Sequence, residues 1–216
     1  MPARVASKAG PVAARRGFAT GAQALAKVDP ILAAIIRRVG PIALPPPRDP
    51  FFALVRAILY QQLAGSAAAA ILRRTLALYP KSDCPTPAAL LATGEEALRS
   101  AGVSRQKAAY LKDLAAKFAD GTLSPAKLRR LPDDELEAAL TSVKGVGRWT
   151  ADMFLIFTLH RLDVLPVGDL GLRKAVMRAY SLPGPPTPAE LMAMGERWRP
   201  YRSVATMYLW RGADAP

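Results

Sequence analysis

Cysteine occurs once in the 216 residues, at Cys84, and histidine once, at His160. A single thiol excludes an intramolecular disulfide, and it excludes a four-cysteine zinc site or iron–sulfur cluster built from this chain alone. With one histidine and no His/Cys/carboxylate cluster, metal catalysis has no support, and no organic cofactor is implied. No apolar run reaches the roughly 18 residues needed to span a bilayer, so a membrane protein is not expected. The period-2 alternation of a half-buried strand is missing as well. The one extended candidate, Leu162–Val167, is interrupted by Pro166, which cannot donate to a sheet ladder. Acidic residues are scarce, with 17 Asp and Glu against 30 Lys and Arg, and none precedes Asp29.

What is present is a globular balance, with 51% hydrophobic and 22% charged residues. The net charge of +13 and isoelectric point near 10.4 favour a polyanionic partner, nucleic acid before an anionic membrane. Residues 1–19 carry Arg4, Lys8, Arg15 and Arg16 with no acid and no hydrophobic stretch. They read as a basic, frayed N-terminal extension, with a transit peptide the alternative that composition allows, rather than a secretory signal.

Twenty prolines look hostile to helices, yet many follow a capping residue. Asp29-Pro30, Asp49-Pro50, Thr86-Pro87, Ser124-Pro125 and Thr187-Pro188 each read as an N-cap with proline at the first helical position. Glycine closes several of these segments, at Gly40, Gly102 and Gly121. The spacing of Phe52, Val55, Ile58 and Leu59 predicts a buried helical stripe over 51–63. Further helices are predicted over 66–79, 133–142, 148–160, 170–180, 188–199 and 201–211. The loop Pro41–Pro47 is stiff, and too short to separate independent domains. The expectation is a compact all-α protein of about ten short helices.

The most specific local feature is Leu140-Thr141-Ser142-Val143-Lys144-Gly145-Val146-Gly147-Arg148-Trp149-Thr150-Ala151. A helix runs into Gly-x-Gly and a second helix starts at once. Two glycines admit a ligand close to the backbone. The N–H groups of the turn and of the new helix's first turn then face outward as an anion site, with Lys144 and Arg148 adding charge. Such a hairpin grips a DNA phosphate without reading sequence.

At this hairpin the sequence resembles the helix-hairpin-helix DNA glycosylase superfamily, and within it the 3-methyladenine DNA glycosylase II (alkylation-repair) family. Three further stretches carry the resemblance in the same order. They are Arg56-Ala57-Ile58-Leu59-Tyr60-Gln61-Gln62-Leu63, Leu165-Pro166-Val167-Gly168-Asp169, and Arg197 to Ser203 with Met207-Tyr208-Leu209-Trp210. Coverage runs from about residue 22 to residue 211. The resemblance implies a helix-hairpin-helix glycosylase domain over 20–216, with two helical lobes and the site between them. Its partner would be double-stranded DNA containing alkylated bases. A monomer is expected, in the cytoplasm on the bacterial nucleoid or, in a eukaryote, in the nucleus. Two positions depart from the family. Lys144 stands where many relatives have proline, and Met153 stands where a well-known pattern has an aromatic.

The resemblance also assigns roles. Asp169, twenty positions after Trp149, falls where the family places its catalytic aspartate. Read from the residues alone it is more readily an N-cap, and the twenty-residue spacing from Trp149 is what favours the acid. A carboxylate there would stabilise the oxocarbenium character left on the sugar when a cationic purine departs. Trp149 and Trp210, with Met153 and Tyr60, would form the base pocket, since an electron-rich ring face favours an N3- or N7-alkylated purine. Trp198 is assigned to the core. Gln62 or Leu63 would fill the gap left by the extruded nucleotide, with the resemblance favouring Gln62. Lys144, Gly145, Val146, Gly147 and Arg148 would bind DNA. A structural Na+ or K+ is implied on the carbonyls of Thr141, Val143 and Val146. In strand-cleaving relatives a lysine immediately follows Gly-x-Gly-Arg, where this chain has Trp149, so a monofunctional enzyme is expected. The rivals are a bifunctional glycosylase/lyase and a non-catalytic damage-binding protein. Asp152 and Asp163 read as surface or structural acids, and His160 as a dipole-stabilised residue near a helix end.

Overall fold

The computed structural model describes residues 11–46, 48–80 and 82–214. Among them are thirteen α-helices, one 3-10 turn and no strand. In chain order the helices are α1 (Pro11–Val28), α2 (Pro30–Val39), α3 (Pro50–Tyr60), α4 (Gly65–Ala77), α5 (Pro87–Ala92), α6 (Glu95–Ser100) and α7 (Arg105–Ala119). Then follow α8 (Pro125–Arg130), α9 (Asp133–Thr141), α10 (Arg148–Phe157), α11 (Leu170–Ala179), α12 (Pro188–Gly195) and α13 (Arg202–Asp214), with the 3-10 turn at Glu196–Trp198. All five Asp-Pro, Ser-Pro and Thr-Pro pairs start helices, and each capping side chain accepts a main-chain N–H. No described helix is long and apolar enough to cross a membrane.

The chain divides into two compact units. Arg48–Phe154 form one; the other joins the N-terminal helices to Leu155 and the residues after it. The boundary falls at the end of the proline loop, where the sequence pattern alone suggested no division. In the first unit α7 packs against α3, α5 and α6. Leu54, Ile58, Leu90, Leu98, Leu111 and Leu114 are fully buried there. Phe51 meets Phe118 edge-on, ring centres 5.0 Å apart. Lys112 closes the end of α5 by donating from Nζ to the carbonyls of Leu90, Leu91 and Thr93. These are carbonyls that a helix end leaves without N–H partners.

In the second unit α13 packs against α1, α2 and α11. The basic extension expected through residue 19 is corrected here, because α1 begins at Pro11 and is docked on the core. Ala14, Phe18, Ala22 and Leu25 are buried, at a spacing that places them on one helical face. Arg15 and Arg16 are exposed. Arg4 and Lys8 lie outside the described residues. Where α1 meets α13, a Cβ at Gly21 would come within 2.7 Å of the Tyr201 ring.

Two buried polar centres organise this unit. Asp29, 2% exposed, caps α2 by accepting from the N–H groups of Ile31 and Leu32. Its other oxygen accepts from the Tyr180 hydroxyl at 2.6 Å and from Trp198 Nε1 at 3.0 Å. Arg202, 1% exposed, donates Nε and Nη2 to the two oxygens of Asp163 at 2.7 and 3.0 Å, and Nη2 also reaches the Asp163 carbonyl. Asp163 is thus a structural acid, as the sequence suggested. Asp152 is buried, at 5% exposed, which removes the surface half of its reading.

Candidate functional site

The hairpin is built by an alternation of buried and exposed residues. Val143 and Val146 are buried, while Lys144, Gly145, Gly147 and Arg148 are exposed. The Val146 N–H donates to the Val143 carbonyl at 3.0 Å and closes the turn. Gly145 has φ +78°, and a Cβ there would overlap the Tyr110 ring, so the position requires glycine twice over. The turn's donors are fewer than its sequence suggests. The Lys144 N–H is taken by Asp113 Oδ2 at 2.9 Å and cannot serve an anion. The N–H groups of Gly145 and Gly147 make no hydrogen bond among the described residues. The first turn of α10, which starts at Arg148, adds the positive end of a helix. The Arg148 guanidinium pairs with Glu137 at 3.3 Å; Arg148 is exposed and Glu137 half-buried, and a pair so open to solvent is worth about 0–1 kcal/mol.

Helix α3 stops at Tyr60, three residues short of the sequence prediction. Gln61–Leu63 form a turn in which Gln62 has φ +56°, a left-handed conformation that a non-glycine residue adopts at a cost of roughly 1–2 kcal/mol. Gln62 and Leu63 are both exposed, with Leu63 at 40%. The candidate wedge residues therefore sit on a strained turn and not at a helix end.

The aromatic candidates differ sharply. Trp149 is 51% exposed, an unusual placement for so large an apolar ring. Met153, one turn further along α10, is half-buried. Tyr60 carries the Arg56 guanidinium over one ring face at 4.1 Å, so that face is closed to a cationic base. Trp198 is fully buried, as assigned from sequence.

Asp169 and Trp210 meet directly. Asp169 caps α11, its Oδ1 accepting from the Leu172 N–H at 2.5 Å and from Trp210 Nε1 at 3.1 Å. Trp210 in turn lies flat against Phe157, ring centres 6.0 Å apart and planes 14° apart. A Cβ at Gly171 would stand 3.1 Å from Asp169 Oδ1, a tight contact that would press on the carboxylate. The N-cap and acid readings of Asp169 are therefore compatible. Sequence reasoning missed Phe157, and it gave Trp210 only a stacking role, whereas its indole N–H orients the acid.

His160 departs from its sequence reading. It lies beyond the end of α10 at φ +53°, and its Nε2 is buried without a partner among the described residues. Burial pushes its pKa down, outweighing hydrogen bonds to the main chain of Pro45 and Phe157, whereas a helix dipole would have raised it. No group of three or more His, Cys, Asp or Glu among the described residues could hold a metal ion.

The first unit thus carries a glycine-turned helical hairpin beside exposed cations, and the second a helix-capping carboxylate held by an indole. The chain belongs to the HhH-GPD superfamily of base excision DNA repair proteins, whose family model matches residues 55–200. It is 37% identical over 166 residues to DNA-3-methyladenine glycosylase 1 of Schizosaccharomyces pombe, covering 76% of this chain and 72% of that protein. Among solved structures it resembles a DNA-3-methyladenine glycosidase from Bacillus halodurans, with a TM-score of 0.83, 35% identity, and coverage of 90% of this chain and 89% of the other. It also resembles the Schizosaccharomyces pombe 3-methyladenine DNA glycosylase in complex with abasic DNA, with a TM-score of 0.78, 33% identity, and coverage of 88% and 95%.

Proposed function

We propose that this chain is a monofunctional DNA N-glycosylase that flips alkylated purines out of duplex DNA and hydrolyses their N-glycosidic bond, leaving an abasic site. The observation that carries this reading is Asp169, an acid whose orientation is fixed by Trp210 and Leu172 in a chain of net charge +13. A protein that only bound DNA could use this carboxylate as a helix cap, but a negative charge beside a bound phosphate backbone would weaken its grip. In the reaction the sugar–nitrogen bond breaks with its electron pair leaving on the base, so a cationic alkylpurine departs neutral. Asp169 stabilises the positive charge that develops on the sugar and orients the attacking water. The exposed indole of Trp149 stacks on the extruded base, with Met153 beneath it. Gln62 enters the vacated stack. The hairpin from Lys144 to Arg148 holds a phosphate through the glycine N–H groups and the exposed cations. The protein acts as a monomer on double-stranded DNA.

The hairpin also suits a structural monovalent cation. Thr141 ends α9, where a helix leaves carbonyls without N–H partners, and the Val143 carbonyl keeps a second lone pair beyond its bond from Val146. Na+ or K+ held by the carbonyls of Thr141, Val143 and Val146 would add positive charge beside the phosphate.

A lyase reaction would need an amine at the sugar, and the position that follows Gly145-Val146-Gly147-Arg148 is an indole, whose nitrogen is not a usable nucleophile. Borohydride added during turnover should therefore trap no covalent enzyme–DNA adduct. Product strands run on a gel without heat or alkali should remain intact. A trapped adduct with enzyme-dependent cleavage would assign a Schiff-base amine, such as Lys174 or the N-terminus, and overturn the monofunctional reading.

A further inference from the structure

Three residues of α7 at a spacing of three, Lys107, Tyr110 and Asp113, lie along one side of the helix. Each holds a different part of two loops of the first unit, the turn after α3 and the glycine hairpin. Lys107 Nζ donates to the carbonyls of Leu59 and Gln61, both at 2.7 Å, and so grips the chain on either side of Tyr60. Those two bonds end α3 and deliver the chain to Gln62 in its left-handed conformation. Tyr110 lies against Gly145, and its hydroxyl is held by Gln106 at 2.7 Å. Asp113 accepts the Lys144 N–H. The circuit closes through Gln61, whose Nε2 donates to the Gly145 carbonyl at 2.8 Å. Partial burial lowers the Lys107 pKa, in keeping with an ammonium turned inward onto carbonyls and not toward phosphate.

We propose that this side of α7 is a positioning strut that locks the Gln62 turn and the Gly145 hairpin in one register, with Lys107 as its principal positioning residue. DNA held at the hairpin then meets the wedge residue at a fixed distance along the strand. The strut acts at the step where a nucleotide leaves the stack and its partner base is left behind, because only that step needs phosphate grip and wedge together. This inference rests on the glycosylase reading above.

The test uses two duplexes, one with 7-methylguanine opposite cytosine and one with the same lesion opposite an abasic analogue, where no pair must be broken. Lys107→Met, which keeps the stem and removes the donor, should slow single-turnover excision about tenfold or more on the paired duplex, since small misplacements are costly in rate. On the unpaired duplex it should recover to within about threefold of the wild type, the pairing cost being absent. Lys107→Arg, which can still donate to both carbonyls, should stay near the wild type on both. Gln61→Leu removes only the tie to Gly145; it should show the same paired-only deficit, and it decides the question if Lys107→Met folds poorly. Equal deficits on the two duplexes, or wild-type rates for Lys107→Met and Gln61→Leu on the paired one, would overturn the strut. A wild type that releases no base from either duplex would instead overturn the glycosylase reading on which the strut depends.

Discussion

Asp169→Asn will lose excision of methylated purines by at least about a hundredfold, the scale on which a preorganised electrostatic group contributes to a charged transition state. The variant should bind duplex DNA as well as the wild type or better. Both expectations come from the same geometry. An asparagine Oδ1 can still accept from the Leu172 N–H and from Trp210 Nε1, so the cap on α11 and the indole remain in place. Only the negative charge is lost, and that charge opposes the phosphate backbone while favouring the sugar cation. Circular dichroism and thermal melting should match the wild type, and chromatographic assay of released base supplies the rate. Near-wild-type excision would strip Asp169 of its catalytic role and leave it a helix cap.

Asp29→Ala acts on stability instead, and by a large margin. It leaves the Tyr180 hydroxyl, the Trp198 indole N–H and two helix N–H groups without an acceptor in a nearly closed site. Stranding buried partners in this way costs about 3–5 kcal/mol, on the order of 10 °C in melting temperature for a chain of this size. Burial alone would raise the Asp29 carboxyl, but hydrogen bonds from Tyr180, Trp198 and Leu32 and the nearby Arg197 charge outweigh it and hold the pKa below the usual carboxylate range. A depressed folded-state pKa gives stability that is fully present above the unfolded value near 4 and is lost as pH falls through the folded one. Asp29→Asn should therefore be less stable than the wild type at neutral pH, and the gap should narrow in acid. A constant gap between pH 7 and pH 3 would mean that the ionised carboxylate is not what its hydrogen-bond donors hold.

The parts of this fold legible in the sequence are those decided within a few residues. Asp29-Pro30, Ser124-Pro125 and Thr187-Pro188 start helices because cap and first turn are neighbours in the chain. The hairpin was legible for the same reason, since its two glycines, two cations and two flanking helices are contiguous. The end of α3 was not, because Lys107 takes the Leu59 and Gln61 carbonyls from 48 and 46 residues away. Asp113, which removes one donor from the hairpin, was invisible on the same grounds. Helix α1 did carry a signal in Ala14, Phe18, Ala22 and Leu25, but small residues and the surrounding arginines obscured it. Three tryptophans with similar helical spacing reach different fates: Trp149 is exposed, Trp198 is fully buried, and Trp210 holds Asp169. Spacing gives a face of a helix, while only the fold determines what covers that face.

The central claim is that the chain breaks the N-glycosidic bond of alkylated purines in duplex DNA. It is tested most directly by incubating the protein with methylated duplex DNA and resolving the free bases by chromatography. Enzyme-dependent release of 3-methyladenine or 7-methylguanine, absent with Asp169→Asn, is the expected result. Release no greater than the spontaneous loss seen without protein, from a preparation that is folded and binds DNA, would contradict the claim.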